Sequence, residues 1–310
     1  MKQVIGVDIG GTAVKGLVID ETGNVWADAK LDTEARQGRE VILGKLNVVI
    51  RELLEACPAV QAIGIASAGR VNTDTGEVVY ATDNLPGWQG LRLTGWAEDT
   101  FQLPAAADND ANAALLGEAW QGAGRGRQNL VMLTLGTGVG GAIMIQGSLN
   151  RGSRWSGGEF GHGILFPGGR RCNCGRRGCV EEYVSGSALL RLGHELTGRA
   201  YSHGADLMAD ARRGDPGALR VLEHYTSDLA VVLGNIGITL DPELIVIGGG
   251  VIHDREVWWP LLTSKLKGEG LAGILAAAEL GNRAGCFGAA KLALEYSGQL
   301  PGGYEKEDTA

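Results

Sequence analysis

The sequence predicts an α/β chain built from two related halves, and three observations carry that prediction. A pattern of apolar strand, glycine turn and second apolar strand occurs twice, at Val4 to Asp20 (VIGVDIGGTAVKGLVID) and at Leu130 to Gly147 (LVMLTLGTGVGGAIMIQG). Short buried strands alternate with stretches of helical apolar spacing along the rest of the chain. The length of 310 residues, 44% of them hydrophobic and 21% charged, suits two domains. The 51 glycines fall in short clusters without a collagen period. A formal net charge of -8 and the lack of a long basic run leave no nucleic-acid footprint. The five cysteines are odd in number and three are clustered, which argues against a disulfide framework and for a reducing compartment. With no leader-like apolar segment and no membrane-length run, the expectation is a soluble cytoplasmic protein, no membrane being a partner.

In chain order, the first glycine turn is Gly10-Gly11-Thr12, where backbone N–H groups can approach an anion closely; an ordinary hairpin is the alternative. Asp8 just before it is placed to orient a hydrated magnesium ion. Residues near 37–56 have helical spacing, and Ala62 to Ala66 reads as a short buried strand. That strand runs into Ser67-Ala68-Gly69-Arg70-Val71-Asn72, and such strand ends face ligands in open α/β sheets. Residues 82–88 are turn-rich with one aromatic, a composition that fits a surface loop. Ala105 to Gly117 (AAADNDANAALLG) predicts a strand ending at Asp108-Asn109-Asp110 and an alanine-rich helix. Asp108 or Asn109 suits the N-cap, and Asp110 the first turn, where the helix dipole favours an ionised carboxylate. Capping accounts for one of these three polar residues, not for all.

In the second hairpin, Gly136-x-Gly138-x-x-Gly141 matches the dinucleotide fingerprint, but that fingerprint must open a helix. Here an apolar strand, AIMIQG, follows instead. Gly10 lines up with Gly136 and Asp8 with Thr134, so each half offers one phosphate loop. Further on, Ser185 to Leu196 and roughly Pro216 to Ile238 predict helices. Leu244 to Ile247 predicts a buried strand that enters a third glycine loop, Gly248-Gly249-Gly250-Val251. Such a loop passes closely over a flat ring or a phosphate, or makes a tight turn. A last helix starts near Gly285, and a polar segment follows.

The richest stretch is Ser156 to Glu182, SGGEFGHGILFPGGRRCNCGRRGCVEE. His162, Cys172, Cys174 and Cys179 supply the imidazole and thiolates that a zinc ion takes in fourfold coordination. Glycine between the cysteines lets the backbone wrap one ion, and Glu159, Glu181 and Glu182 remain spare. Reduced cysteines without a metal, or a purely structural knuckle, are the alternatives.

Taken together, DIGGTAVKG, DNDANAA, LGTGVGG, EFGH, CNCGRRGCVEE and IVIGGGV in this order resemble the ROK family of repressors and sugar kinases. The resemblance runs from Val4 to about Leu294 and implies two actin/hexokinase-like (ribonuclease H-like) α/β domains around a cleft. It implies a small domain over 1–118, completed by a C-terminal helix near 289–300, a large domain over 119–288 with the zinc motif, and a polar tail over 301–310. The general base falls on Asp110. Asn84, Asn109, Asp110, Glu159, His162 and Glu181 match sugar-binding positions, with His162 also ligating zinc. Asp8, Gly10, Gly11, Thr12, Lys15, Gly136, Thr137 and Gly138 match positions around the ATP phosphates and magnesium, and Gly248 and Gly249 the adenosine. The implied activity is ATP-dependent phosphorylation of a hexose or N-acetylhexosamine, and the implied assembly is a homodimer.

Many sugar kinases of the family carry proline-glycine after the first sugar-side strand, where this chain has Ser67-Ala68-Gly69-Arg70. The resemblance puts that loop near the hexose 2-position, which counts against glucose and leaves N-acetylglucosamine, N-acetylmannosamine, fructose and allose open as acceptors. A repressor would need an N-terminal helix-turn-helix, and the first hairpin starts at Val4. A non-catalytic sugar-binding protein would be expected to lack Asp110 or the glycine loops. The sequence also places the zinc ligands next to Glu159 and Glu181 and far from the glycine turns, so zinc is expected to act on the sugar and not on ATP.

Overall fold

The computed structural model describes residues 1–82 and 85–299; the sugar candidate Asn84 and the polar tail lie outside the described residues. The chain forms two compact units, one of Met1–Gln121 joined by the chain from Arg283, the other of Gly122–Asn282. No helix among the described residues is long and apolar enough to cross a membrane.

The first unit opens with β1 (Gln3–Ile9) and β2 (Ala13–Asp20), the two strands expected around the first glycine turn, and adds β3 (Val25–Asp32). Helix α1 (Arg39–Ala56) buries Ile42, Leu46, Val49, Ile50 and Leu53, one stripe at helical spacing. Strand β4 (Val60–Ser67) follows, then a small hairpin of β5 (Arg70–Asn72) and β6 (Glu77–Tyr80), and α2 (Leu93–Phe101). Strand β7 (Ala105–Asn109) leads directly into α3 (Asp110–Gln121). The sheet order is β3-β2-β1-β4-β7. Strand β1 is antiparallel to β2 and parallel to β4, which is parallel to β7. Sequence pattern does not reveal β3, whose alternating exposure marks it as a polar edge strand. In the turn-rich stretch expected over 82–88, Pro86 and Gly87 are exposed but the aromatic is not. Trp88 is fully buried and donates from Nε1 to Ser67 Oγ at 2.8 Å, so the indole packs under the end of β4.

The second unit starts with β8 (Leu130–Leu135), β9 (Val139–Ile145) and the two-residue β10 (Ser148–Leu149). After the long cysteine-bearing loop come α4 (Glu181–Val184), α5 (Gly186–Thr197), α6 (Gly204–Arg212) and α7 (Pro216–Leu240). Strand β11 (Leu244–Gly248), α8 (Arg255–Leu266) and β12 (Leu275–Ala277) complete it. Its sheet order, β10-β9-β8-β11-β12, repeats the first unit strand for strand, with the same senses. The duplication read from two glycine turns is thus a duplication of whole sheets. Helices α6 and α8 are additions to the expected elements; in α8 the run Trp258-Trp259-Pro260 blurs any single apolar stripe.

Helix α9 (Ala284–Gln299) returns to the first unit and lies on β1, β4 and α3. It does so backbone to backbone. A Cβ placed on Gly64 would overlap the Ala289 carbonyl, one on Gly6 the Cys286 carbonyl, and one on Gly288 the Ala113 carbonyl. Glycine in these two strands and in α9 serves close approach, not turning.

Candidate functional site

In the first unit the parallel strands end in register. Ile9 pairs with Ser67, and Ser67 with Asn109. The Gly10-Gly11-Thr12 turn and Asp110 therefore leave the same edge of one sheet, the edge where α/β folds collect ligands. Thr33, which sequence reasoning passes over, fixes the turn. It is buried, donates from its backbone N–H to the Thr12 carbonyl at 3.0 Å, and donates from Oγ1 to the Gly10 carbonyl at 2.7 Å. Asp8 faces Lys15 across the β1–β2 ladder, with Nζ to Oδ2 at 3.8 Å. Burial pushes the Asp8 carboxyl above its ordinary range, and the Lys15 charge only partly offsets this.

The three polar residues at the start of α3 divide their work. Asp108 is fully buried and accepts from Asn109 N at 2.7 Å and from Asn112 Nδ2 at 2.9 Å. Asn109 is the cap: its Oδ1 accepts from the backbone N–H groups of Ala111 (2.9 Å) and Asn112 (3.1 Å). Its Nδ2 donates to the Gly69 carbonyl at 2.7 Å and to Asp110 Oδ1 at 3.0 Å. Asp110 is half-buried, and the same Oδ1 also accepts from Ala111 N at 2.8 Å.

In the second unit the Gly136-Thr137-Gly138 turn is closed by Gly136 N donating to the Gly138 carbonyl at 3.0 Å. It borders a cavity of about 590 Å³ whose wall includes Thr137, Gly186, Ser187, His203, Gly250 and Val251. The third glycine loop reaches this cavity through later residues than expected. Gly248 is buried as the last residue of β11, and Gly249, at φ +85°, presses against the Leu135 backbone. Gly250 and Val251 are the residues that face the cavity.

One donor atom from each of His162, Cys172, Cys174 and Cys179 lies within 4.8 Å of all the others. Cys174 Sγ is 3.6 Å from Cys179 Sγ, and Cys172 Sγ is 3.7 Å from His162 Nδ1. A tetrahedral ion with Zn–S bonds of about 2.3 Å sets S···S edges of roughly 3.8 Å, so the donor set fits zinc. Local folding makes the set. Cys172 N donates to the Arg176 carbonyl at 2.9 Å, and Gly175, at φ +87°, turns the chain between Cys174 and Cys179. A short 3-10 turn, Phe160–His162, brings in the imidazole. Burial raises the Cys172 thiol to about 12 and raises Cys179 as well. Burial also opposes ionisation of Cys174, but a hydrogen bond from the Arg176 backbone and the neighbouring thiols bring its value below the ordinary one. Two thiols that resist ionising alone suit a cation that supplies the missing charge. With Nδ1 turned to the cluster, His162 keeps Nε2 for another partner.

Though far from it in sequence, the cluster segment touches the second glycine turn. Glu181 Oε2 accepts from Val139 N at 3.0 Å, directly after the Gly136-Thr137-Gly138 turn, while Oε1 is 3.9 Å from Cys172 Sγ. Gly186 N donates to the Gly136 carbonyl at 2.7 Å. Glu159, by contrast, stands exposed at the entry to the 3-10 turn.

Comparison with known proteins finds relatives along almost the whole chain. The ROK family matches residues 4–296. A glucokinase from Halalkalibacterium halodurans is 32% identical, with 98% of each chain covered. An N-acetyl-D-glucosamine kinase from Yersinia pseudotuberculosis is 33% identical over 83% of this chain and 86% of its own. The crystal structure of a ROK family glucokinase from Streptomyces griseus in complex with glucose and AMPPNP superposes with a TM-score of 0.80 at 32% identity, covering 94% of this chain and 99% of that one. Two matching sheets, a half-buried aspartate at a strand end, two glycine turns and a Cys₃His loop thus occur together in a sequence related along almost its whole length to these kinases, and the chain belongs to the ROK family.

Proposed function

We propose that the protein is an ATP-dependent sugar kinase that phosphorylates the primary hydroxyl of an uncharged hexose or N-acetylhexosamine. The observation that carries this reading is the shared sheet end of the first unit, where Asp110 and the Gly10-Gly11-Thr12 turn leave β7 and β1 at the same end, with β4 in register between them. Phosphoryl transfer needs positioning, charge neutralisation and a carboxylate at the attacking hydroxyl. Asp110 is the general base that takes the hydroxyl proton, and Asn109 holds its carboxylate in place. The two glycine turns offer backbone N–H groups to phosphate oxygens, and Lys15 adds positive charge beside the first. Asp8 would hold magnesium through its water shell, and the metal would supply further charge neutralisation on the phosphates.

The cavity beside Thr137 and Val251 suits the adenosine moiety. Glu159, Glu181 and His162 Nε2 are the sugar-side groups; two acidic residues favour a neutral polyol ring over a sugar acid. Zinc on His162 and the three cysteines would be structural, since four protein ligands leave no open position. Support for the acceptor class comes from relatives named as glucokinase and as N-acetyl-D-glucosamine kinase. Where the chain departs from the common family pattern, the Arg70 guanidinium lies over the Tyr80 ring at 4.5 Å.

A coupled ADP-release screen over glucose, N-acetylglucosamine, N-acetylmannosamine, fructose and allose tests the reading, with mass spectrometry to locate the phosphate. ADP release with one or more of these and transfer to the primary hydroxyl is expected. Release with none of them, or transfer only to an acidic sugar, would overturn it.

A further inference from the structure

The segment that carries the Cys₃His cluster also clasps the second glycine turn. Glu181 Oε2 accepts from Val139 N at 3.0 Å, and Gly186 N donates to the Gly136 carbonyl at 2.7 Å. Gly161, one residue before the ligand His162, packs so tightly that a Cβ there would overlap the Val139 carbonyl. At Gly138 a Cβ would overlap Glu181 Oε2, the end of a side chain that would have to swing away. The other oxygen of the same carboxylate reaches to 3.9 Å from the ligand atom Cys172 Sγ. Glu181 sits two residues after Cys179 and opens α4, so its backbone is set by the loop that the cluster ties together.

From these contacts we infer that Glu181, besides its place among the sugar-side groups, ties the Cys₃His cluster to the Gly136-Thr137-Gly138 turn through Oε2, so that metal occupancy sets how firmly the chain holds a nucleoside triphosphate. The inference rests on the reading of that turn as a phosphate loop. Its physical basis is a charge-assisted hydrogen bond between a carboxylate and the first N–H after the turn, a bond stronger than one between neutral groups. When the cluster is tied, α4 presents the carboxylate to Val139 N. When it is loosened, the carboxylate loses its backing and the hairpin frays at the end that faces phosphate. Gly138 serves this contact, which explains why a turn without a positive φ at that position still lacks a side chain.

Hydrogen exchange on the zinc-loaded protein, read by mass spectrometry over residues 136–145, tests the link directly. Glu181→Ala should keep its zinc, speed exchange in this segment by about tenfold, as expected for one lost charged hydrogen bond, and weaken AMPPNP binding in parallel. Glu181→Gln, whose amide oxygen can still accept from Val139 N, should restore most of the protection. Mild chelation that leaves the circular dichroism spectrum intact should loosen the hairpin in the wild type and add nothing in Glu181→Ala. Gly138→Ala pushes the carboxylate aside with the cluster untouched, and should lower AMPPNP affinity at unchanged zinc content.

The inference is overturned if Glu181→Ala leaves hairpin exchange unchanged. It is also overturned if chelation loosens the hairpin equally with and without the carboxylate, or if Gly138→Ala binds AMPPNP like the wild type. Failure of the wild type to bind any adenine nucleotide would instead sink the kinase reading, and the exchange comparison would still decide the coupling.

Discussion

The side-chain amide of Asn109 donates to the carbonyl of Gly69 at 2.7 Å, joining the start of α3 to the turn that follows β4. The other contacts of that amide run to Asp110 Oδ1 and to the N–H groups of Ala111 and Asn112. Both N–H bonds and both lone pairs of the Asn109 side chain are therefore engaged within the protein. The residue whose motif position matches a sugar-binding one thus also serves as helix cap and tether. Asn109→Ala should cost about 1–2 kcal/mol of stability, the loss typical of a helix cap. It should also lower kcat more than it raises the KM for sugar, because Asp110 loses its brace. Urea unfolding and steady-state kinetics check this; a raised sugar KM at unchanged stability would mark Asn109 as a direct ligand instead.

Asp110→Asn keeps the shape of the side chain and removes its basicity. The expected outcome is a fall in kcat of about 10²–10⁴-fold with sugar binding largely intact. Single-turnover kinetics with isothermal titration of the sugar separates the two effects. A variant retaining more than about a tenth of wild-type kcat would reject the general-base role.

The glycines of the first unit divide into those that meet a neighbour and those that meet open space. Gly64→Ala drives a methyl group into the Ala289 carbonyl of α9 and should destabilise by about 1–3 kcal/mol or more, as overpacking does. Gly44 lies exposed inside α1 with nothing within 4 Å of an added Cβ, so Gly44→Ala should stabilise by about 0.5–1 kcal/mol. Chemical denaturation of the two variants side by side should show shifts of opposite sign.

Asp20 gives the pH dependence a definite sign. Burial alone would raise its pKa, but hydrogen bonds from Thr22, Trp26 and Asn24 outweigh that and hold the carboxyl well below the usual carboxylate range. A depressed folded-state pKa means that the stabilisation is complete above the unfolded value near ~3.9 and is lost as pH falls through the folded value. Asp20→Ala should therefore be clearly less stable than the wild type at neutral pH, and the gap in urea midpoint should narrow progressively as pH falls below about 4. A gap that stays constant down to strongly acidic pH would show that packing, not ionisation, is responsible.

Much of the fold is legible in local pattern. Both hairpins show themselves because apolar strands flank Gly10-Gly11-Thr12 and Gly136-Thr137-Gly138, and the Cys₃His set shows itself because ligand chemistry is written in residue type. What stays hidden is long-range. Thr33 closes a turn more than 20 positions away, and Glu181 reaches Val139 across 42 positions, through contacts that no spacing rule encodes. Gly6, Gly64 and Gly288 look like any other glycines in sequence, because their meaning lies in which backbone comes to rest on them. Turn-forming neighbours make Trp88 look like a surface residue; only the indole N–H finding Ser67 Oγ makes its burial tolerable.

The late position of α9 also bears on how the chain comes off the ribosome. Gly122–Asn282 is one uninterrupted stretch, whereas the first unit depends on a helix that is made only after that stretch is finished. At about 5–20 residues per second, the sheet holding Gly6 and Gly64 waits on the order of ten seconds or more for its covering helix. During that interval a glycine-lined groove on an apolar sheet stands open in the nascent chain. Chaperone capture in the cell should therefore favour chains halted before Ala284 over chains that have passed it.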